Sequence, residues 1–297
     1  MRLSQKASKT AEYMALFRAL ETIESPRIRL FNDPYSKNFL SAPLRIAELL
    51  FRTPLVRQFI HGVMDNRWPG AFYSGVARTR LIDDVLRSSV QDGINQVVIL
   101  GAGFDTRAYR LPELRTCAVF EVDHPSTLEV KKGVISRLPT MNTEHVRFVA
   151  IDFVEQSLEE ILLKAGFDKS NSAMFIWEGV TNYLTADAVD QTLRFIANCA
   201  SDTRLVFTYV DKAVLNEGSQ FVGSKALAKT LNQIGEPWSF GLNPSGVNQF
   251  LQDRGFELVE DLGSVDYRSR YMRNRYTNSD VYLRGYEFYR IAQANVK

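Results

Sequence analysis

The sequence predicts an α/β fold in which a mostly parallel β-sheet is covered by helices on both faces. From residue 96 onward, short apolar strands alternate with helical segments, which is the pattern of βαβ units. The first of these strands runs into Gly101 and Gly103, and the strands that follow end at acidic residues. Ligands of such sheets bind at the carboxyl ends of the strands, so we expect a cofactor site at this edge.

The sequence pattern of the first 95 residues predicts helices and no strands. Apolar residues recur at helical spacing, and Ser8 or Thr10 is a suitable N-cap for the first helix. The helices are expected over residues 11–21, 44–51, 54–64 and 73–88. No repeat or low-complexity linker separates them from the strands, so residues 1–297 are expected to form one domain whose first 95 residues are a helical cap.

The glycine turn is the centre of the predicted cofactor-binding core, residues 96–210. The β-branched run 97–100 is typical of a strand buried on both faces. Gly101 and Gly103 allow the chain to turn sharply and to approach a ligand without Cβ interference. Asp123 follows about 20 residues later, the spacing at which a carboxylate binds both hydroxyls of a ribose.

Three acids mark the carboxyl ends of successive strands in this core. The five strands are expected over residues 97–100, 120–123, 146–153, 173–177 and 204–210. Asp123, Asp152 and Glu178 lie at the ends of the second, third and fourth. Clustered carboxylates repel one another unless they bind something, so the pattern favours a binding site over a purely structural explanation.

Residues 211–245 interrupt the alternation. We expect them to form a lid over the carboxyl edge, with a peripheral decoration as the equal alternative. Residues 246–297 then complete the sheet with a helix over 244–254 and strands over 256–262 and 286–292. The segment 267–276 has four arginines, three tyrosines and no acid, and is expected to be an exposed loop.

Composition excludes several classes of protein. The hydrophobic fraction of 45% and the net charge of +2 fit a globular protein and give no reason to expect a nucleic-acid partner. Cys117 and Cys199 have neither metal-site nor disulfide spacing, so we expect buried thiols. No apolar run is long enough to span a bilayer and no signal-peptide core follows Met1, so we expect a cytoplasmic protein without a membrane partner.

Several stretches, kept in order and spacing over nearly the whole chain, together resemble the leucine carboxyl methyltransferase family. Within it, the chain is similar to the bacterial and fungal S-adenosylmethionine-dependent O-methyltransferases. The stretches are Ser8–Glu12, Asp33–Tyr35, Arg78-Thr79 with Ile82-Asp83, Leu100–Arg107, Glu121–Pro125, Ile151–Phe153 and Glu178–Leu184. The resemblance implies a Rossmann-like class I methyltransferase sheet of seven strands, the seventh antiparallel, and S-adenosylmethionine as cofactor.

The resemblance also implies a role for each residue of the cofactor site. Arg78 would pair with the methionine carboxylate, because a guanidinium matches a carboxylate bidentately. The other roles are backbone approach to the methionine and ribose at Gly101 and Gly103, ribose binding by Asp123, adenine binding by Asp152 with the Phe153 backbone, and contact with the methionine part or the reacting centre by Glu178.

The acceptor side of the site is less defined. Tyr183 and Tyr209 lie near strand ends and are candidates to orient an acceptor, and no catalytic base is identified. Methyl transfer relies mainly on in-line positioning and desolvation, so a carboxylate acceptor needs no base, whereas a hydroxyl acceptor does. The expected partner is a small-molecule acceptor of this kind, with a protein C-terminal carboxylate as the alternative.

Two functions of other classes stay open at this point. A nicotinamide-dependent oxidoreductase would share the glycine turn and Asp123, but Thr106 occupies the third small-residue position of the dinucleotide fingerprint. A non-catalytic cofactor-binding protein would have the same cofactor residues. The methyltransferase interpretation is the one we favour.

Overall fold

The computed structural model describes residues 8–138, 140–152, 156–216, 219–272 and 286–297. A seven-stranded sheet with strand order β3-β2-β1-β4-β5-β7-β6 forms its centre. The strands are β1 Gln96–Leu100, β2 Ala118–Asp123, β3 Val146–Ala150, β4 Met174–Trp177, β5 Arg204–Val210, β6 Phe256–Gly263 and β7 Tyr289–Val296. Strands β1 to β5 pair in parallel, and β7 is antiparallel to both β5 and β6. The predicted fold class, including the antiparallel last strand, is confirmed.

Helices cover the sheet on both faces. They are α1 Lys9–Ile23, α2 Ala42–Leu50, α3 Pro54–Arg67, α4 Ala71–Gln91, α5 Arg107–Arg110, α6 Pro125–Ile135, α7 Leu158–Lys164, α8 Ala186–Ala197, α9 Ser224–Ile234, α10 Val247–Gln252 and α11 Ser264–Met272. Within β1, Val97 and Ile99 join the core under α1 and α4, whereas Val98 and Leu100 join the core under α7 and α8. Alternate side chains of a strand point to opposite faces, so β1 is buried from both sides.

The strand order places a switch point between β1 and β4, because β2 lies on one side of β1 and β4 on the other. Crossovers that leave β1 and β4 in opposite directions open a crevice at the carboxyl ends of these two strands, where open α/β sheets bind ligands. Gly101 follows β1 directly and Glu178 follows β4 directly. The fold therefore positions three of the predicted cofactor residues, Gly101, Asp123 and Glu178, at one edge of the sheet.

Three predicted elements differ from the structure. The last strand, expected over residues 286–292, is β7 Tyr289–Val296. Strand β3 ends at Ala150, so Asp152 lies beyond the strand, and residues 153–155 are outside the described residues. Residues 267–272 belong to helix α11 and are not an exposed loop. Tyr267 is buried against α4, where its hydroxyl lies 2.5 Å from Ser74 Oγ. The arginines obscured this apolar side in the sequence; residues 273–276 fall outside the described part of the chain.

Both cysteines are buried and free, as expected from their spacing. Across the described ranges, no three histidine, cysteine, aspartate or glutamate side chains come together as metal ligands. In the same ranges, every helix is too short or too polar to cross a bilayer.

Asp65 on α3 gives a testable pH dependence. Its Oδ2 is buried without a hydrogen-bond partner, and burial raises the pKa of this carboxyl to about 6. Between roughly pH 4 and pH 6 the folded protein holds a proton that the unfolded chain releases, so this residue's contribution to stability is lost as pH rises. We therefore expect the melting temperature of Asp65→Asn, compared with that of the wild type at the same pH, to rise from acidic to neutral pH.

Thermal unfolding of both proteins across that pH range measures the effect. Asp253→Asn is the matched control, because Asp253 is exposed at the end of α10. An Asp65→Asn curve that stays parallel to the wild-type curve at every pH would show that this carboxyl does not titrate unusually.

Candidate cofactor site

The turn after β1 has a backbone that requires glycine. Gly101 has φ +64° and Gly103 has φ +43°, a region that residues with a Cβ rarely adopt. A Cβ on Gly101 would also collide with Cγ2 of Val180, which lies in the segment after β4. The two loops at the switch point therefore pack against each other, and their contact depends on the missing side chain.

A substitution at this turn tests that dependence. We expect Gly101→Ala to lose about 2–4 kcal/mol of stability, because it adds a steric clash to an unfavourable φ. Gly235→Ala is the control, since Gly235 has φ +76° and open space where its Cβ would stand. Denaturant unfolding of both variants separates the collision from the backbone term. Equal losses would mean that the contact with Val180 relaxes without cost.

Asp123 closes the turn from the end of β2. Its carboxylate accepts hydrogen bonds from the backbone N–H of Gly103 at 2.5 Å and of His124 at 2.6 Å. Burial raises the pKa of Asp123, while the two backbone donors act in the opposite direction. Each carboxylate oxygen accepts more than one hydrogen bond, so the group can still bind hydroxyls of a ligand. The structure therefore places Asp123 against the glycine turn, and its role toward a ribose stays a prediction.

Glu178 lies between two buried arginines. Its Oε1 accepts a hydrogen bond from Arg78 Nε at 2.7 Å, and its Oε2 accepts one from an Arg107 terminal nitrogen at 2.8 Å. Burial alone would raise the pKa of Glu178, but the charges of Arg107 and Arg78 outweigh it and hold the pKa below its ordinary value. Glu178 is therefore an anion with a fixed orientation at the switch point.

Arg78 is oriented by three contacts. Besides Glu178, its guanidinium contacts the sulfur of Met14 at 3.3 Å and lies 4.6 Å from the centre of the Tyr289 ring. Burial disfavours the charged form, but Tyr289 and Glu178 raise the pKa of Arg78 above its ordinary value. A permanently charged guanidinium has the chemistry to bind a carboxylate, although Glu178 uses part of its donor capacity. The predicted role of Arg78 toward the methionine carboxylate stays a prediction.

Arg107 connects the site to a buried ionic network that the sequence interpretation missed. Its Nε donates to Asp83 at 2.9 Å, and a terminal nitrogen contacts Asp105 at 2.5 Å. Arg110 binds the same Asp83 through two hydrogen bonds of 2.6 and 2.7 Å.

Asp33 extends the ionic network toward the helical cap. Its carboxylate accepts hydrogen bonds from Arg18 Nε at 2.9 Å and from Thr106 Oγ1 at 2.6 Å. The stretch Leu100–Arg107 carried part of the family resemblance, but nothing in it indicated a buried network.

The helical cap contacts the segment after β5, residues 211–245. Glu236 accepts hydrogen bonds at the start of α1 from the backbone N–H of Lys9 at 2.8 Å and from Thr10 Oγ1. Acids are favoured at helix N-termini by the helix dipole. The backbone N–H of Ser239 donates to Asn182, just beyond Glu178. Residues 211–245 therefore contact both α1 and the loop after β4; their action as a lid stays a prediction.

The two candidate acceptor tyrosines are placed differently. Tyr183 is half-buried in the loop after β4, where its hydroxyl donates to Thr10 Oγ1 at 3.4 Å and burial raises its pKa to about 12. Tyr209 points to the opposite face of β5, with its hydroxyl 2.9 Å from the Asp261 carboxylate and 2.9 Å from Arg290 Nε. The structure thus brings Tyr183, but not Tyr209, toward the predicted cofactor residues.

The predicted adenine-binding residues are only partly described. Asp152 is half-buried two residues after β3, and its backbone N–H donates to Gln156 at 3.0 Å. Phe153 lies outside the described residues. The roles of Asp152 and Phe153 toward a cofactor stay predictions.

Residues 11–197 match the family described as leucine carboxyl methyltransferase. A "Putative S-adenosyl-L-methionine-dependent methyltransferase" of Mycolicibacterium smegmatis is 34% identical over 66% of this chain and 71% of its own length. A protein of the same description from Mycobacterium avium is 35% identical over 61% of this chain, which is about half (54%) of that protein.

Two solved structures share the fold. A "putative methyltransferase" from Thermobifida fusca superposes with a TM-score of 0.61 at 17% identity, covering 99% of this chain and 96% of the other. A DUF574 family protein from Streptomyces avermitilis superposes with a TM-score of 0.58 at 15% identity, covering 95% and 97%. At these identities the likeness concerns the architecture of the chain.

Proposed function

Because this chain belongs to the leucine carboxyl methyltransferase family of S-adenosylmethionine-dependent methyltransferases, we propose that it transfers the methyl group to a carboxylate or hydroxyl oxygen of a small metabolite. The observation that carries the proposal is Glu178, held as an anion between Arg78 and Arg107 beside the glycine turn. The methionine part of the cofactor carries both an ammonium and a carboxylate, and this arrangement offers one opposite charge to each.

In this proposal each cofactor residue binds a different part of S-adenosylmethionine. Glu178 attracts the ammonium and Arg78 the carboxylate of the methionine part, while Asp123 accepts from the ribose hydroxyls. Gly101 and Gly103 let the backbone lie against the ligand. The adenine would lie toward Asp152 and Phe153. When bound, the sulfonium supplies an activated methyl group, so the chain's own residues have only to orient and desolvate the acceptor.

In this proposal the acceptor atom is an oxygen that Tyr183 orients. Tyr183, with its pKa raised to about 12, is a neutral hydroxyl at physiological pH. It can donate a hydrogen bond that orients an acceptor oxygen, but it does not supply a general base. A carboxylate acceptor is already ionised and fits this environment with no base. Tyr209, whose hydroxyl is engaged by Asp261 and Arg290, would act only through the packing of β5.

Calorimetric titration of the purified chain with S-adenosylmethionine, S-adenosylhomocysteine and NAD tests the cofactor part. We expect micromolar binding of the two sulfur compounds and none of NAD. NAD binding alone would overturn the proposal in favour of an oxidoreductase. Binding of the sulfur compounds with no methyl transfer to any acceptor tested would favour a non-catalytic role.

The acceptor atom is tested by labelling. The chain is incubated with methyl-labelled S-adenosylmethionine and a panel of small carboxylic acids and phenols, and the product is treated with mild alkali. A methyl ester releases labelled methanol under these conditions, whereas a methyl ether keeps the label. Label that appears only on a peptide with a free C-terminal carboxylate would support the protein-methylating alternative, and label on nitrogen would overturn the oxygen assignment.

A further inference from the structure

The helices α2 and α3 of the cap carry an unusual apolar surface. Of the twelve large apolar side chains that are exposed in the described part of the chain, six lie on these two helices, including the four most exposed. They are Ile46, Leu49 and Leu50 on α2, and Leu55, Phe59 and Val63 on α3, with exposures from 50% to 80%. We name these six side chains the α2–α3 face. Soluble surfaces rarely concentrate apolar side chains in this way unless something binds there.

Their spacing makes each helix amphipathic. Leu55, Phe59 and Val63 are four residues apart and form one stripe along α3, and Ile46 and Leu50 have the same spacing on α2. The opposite sides of the helices are packed. Met64 is buried, and the His61 ring lies 5.1 Å from the Phe72 ring of α4. The exposed stripes are therefore the outward sides of the two helices, each of which has one buried residue, Glu48 on α2 and Met64 on α3.

Charge around the α2–α3 face is one-sided. Residues 24–68 are all described and contain four acids, none of which is exposed: Glu24, Asp33, Glu48 and Asp65. Five cations of the same segment are exposed, of which only Arg52 pairs with one of these acids, Glu48 at 3.1 Å: Arg27, Lys37, Arg45, Arg52 and Arg67. Arg57 pairs with Glu24 at 3.0 Å, which ties the turn carrying Arg27 to α3. The outer surface of this part of the cap is thus apolar and cationic at once.

We propose that the α2–α3 face binds the surface of a membrane rich in anionic lipids. Amphipathic helices with apolar stripes and flanking cations lie in the plane of the membrane interface, with the apolar side chains at the headgroup–acyl boundary and the cations at lipid phosphates. Such surface binding differs from spanning a bilayer. It departs from the sequence expectation of no membrane partner, which rested on the lack of an apolar run long enough to span. The inference does not depend on the methyl acceptor.

Charge distinguishes this occupant from a second copy of the chain. A two-fold interface places the same surface on both partners, so the exposed arginines of one copy would approach those of the other. No exposed acid within residues 24–68 is available to neutralise them. An anionic lipid surface instead satisfies the apolar stripes and the cations together.

Cosedimentation of the full chain with vesicles tests the proposal. Vesicles are made of phosphatidylcholine alone or of phosphatidylcholine mixed with phosphatidylserine. We expect at least roughly tenfold stronger partition onto the anionic vesicles, because each cation near such a surface adds to binding. Inorganic phosphate, which offers the charge without the apolar boundary, should not displace the chain at equal ionic strength. Displacement by phosphate would show a phosphate-binding surface and overturn the proposal.

Two double variants separate the apolar and the charged contributions. Leu55→Gln with Phe59→Gln should lower partition onto anionic vesicles about tenfold or more, since two inserted side chains are lost. Arg45→Gln with Arg67→Gln should lower it to a similar degree on anionic vesicles and leave partition onto neutral vesicles unchanged. Val259→Gln is the control, because Val259 is 57% exposed on β6 and outside this face.

The remaining outcomes contradict the proposal. Wild-type chain that stays in solution with both kinds of vesicle overturns it, as does a Leu55 and Phe59 variant that binds as strongly as the wild type. Light scattering that shows a dimer, lost in that variant, would assign the face to a second copy. Circular dichroism and methyl-donor binding confirm that each variant is folded, since none of these side chains belongs to the cofactor site.

Discussion

Replacing Arg107 by methionine is expected to destabilise the protein by about 3–5 kcal/mol, the cost of breaking a buried ion pair from one side. Arg107 is buried and contacts the carboxylates of Asp83, Asp105 and Glu178. Removal of its charge leaves three buried anions with fewer partners, whereas methionine keeps much of the volume. Denaturant unfolding at neutral pH measures the loss, and the free energy of unfolding should fall by the stated amount relative to the wild type.

The comparison variant is Arg194→Met, whose exposed side chain pairs with Asp190 one turn away on α8. Such surface pairs contribute less than about 1 kcal/mol, so this variant should unfold close to the wild type. The pKa of Asp83, of Asp105 and of Glu178 is lowered in the folded protein, since the charges of neighbouring arginines outweigh burial. Their stabilisation is therefore present at neutral pH and lost as pH falls through the lowered values.

The difference between Arg107→Met and the wild type should consequently narrow in acid. A loss below about 1 kcal/mol at neutral pH would mean that Arg78, Arg110 and the backbone already neutralise the three carboxylates. A loss that does not change with pH would place its origin in packing. Either result would show that the charge of Arg107 does not stabilise the buried carboxylates of the site.

Replacing Asp123 by alanine is expected to weaken cofactor binding by roughly 100-fold or more. Hydrogen bonds to a charged group contribute about 1.5–3 kcal/mol each, and the proposed role has the carboxylate accept two from the ribose. The substitution also releases the backbone donors of Gly103 and His124, so the glycine turn loses its present anchor. Titration with S-adenosylhomocysteine measures the affinity without turnover.

Asp261→Ala is the matched control for this titration. Asp261 is a carboxylate on β6 that binds Tyr209 and Arg290 on the opposite face of the sheet. It should keep wild-type affinity while losing some stability. An Asp123→Ala protein that remains folded and binds within about threefold of the wild type would refute the ribose role and leave Asp123 as a structural anchor of the turn, because a threefold change is below 1 kcal/mol.

Several features of the candidate cofactor site could be predicted because their signals are local. A β-branched strand followed by Gly101 and Gly103 predicts a turn at a sheet edge whatever the rest of the chain does. The approach of Asp123 to that turn follows from parallel pairing of β1 with β2, which the alternating pattern already implied. Glu178 was a candidate because it follows the fourth strand, whereas the role of Arg78 came from the family resemblance. The structure places the two side chains in direct contact.

Other features depend on contacts between residues far apart in sequence. Arg107 and Asp83 are ordinary charged residues in the printed chain, and their burial in one network appears only when α4 packs over the turn after β1. Tyr209 was a candidate for the site by its position at a strand end, but one residue decides which face of a strand a side chain takes. Thr208, its neighbour, is the residue whose hydroxyl meets the backbone of Gly179.

The sequence by itself determined the order of strands and helices, the glycine turn and the family, because each depends on residues close together along the chain or on a motif kept in order. The tertiary structure alone decided which charges are buried together, which side of α2 and α3 faces outward, and where Tyr209 points. These properties depend on which surfaces exclude water, and that is determined only when distant segments pack.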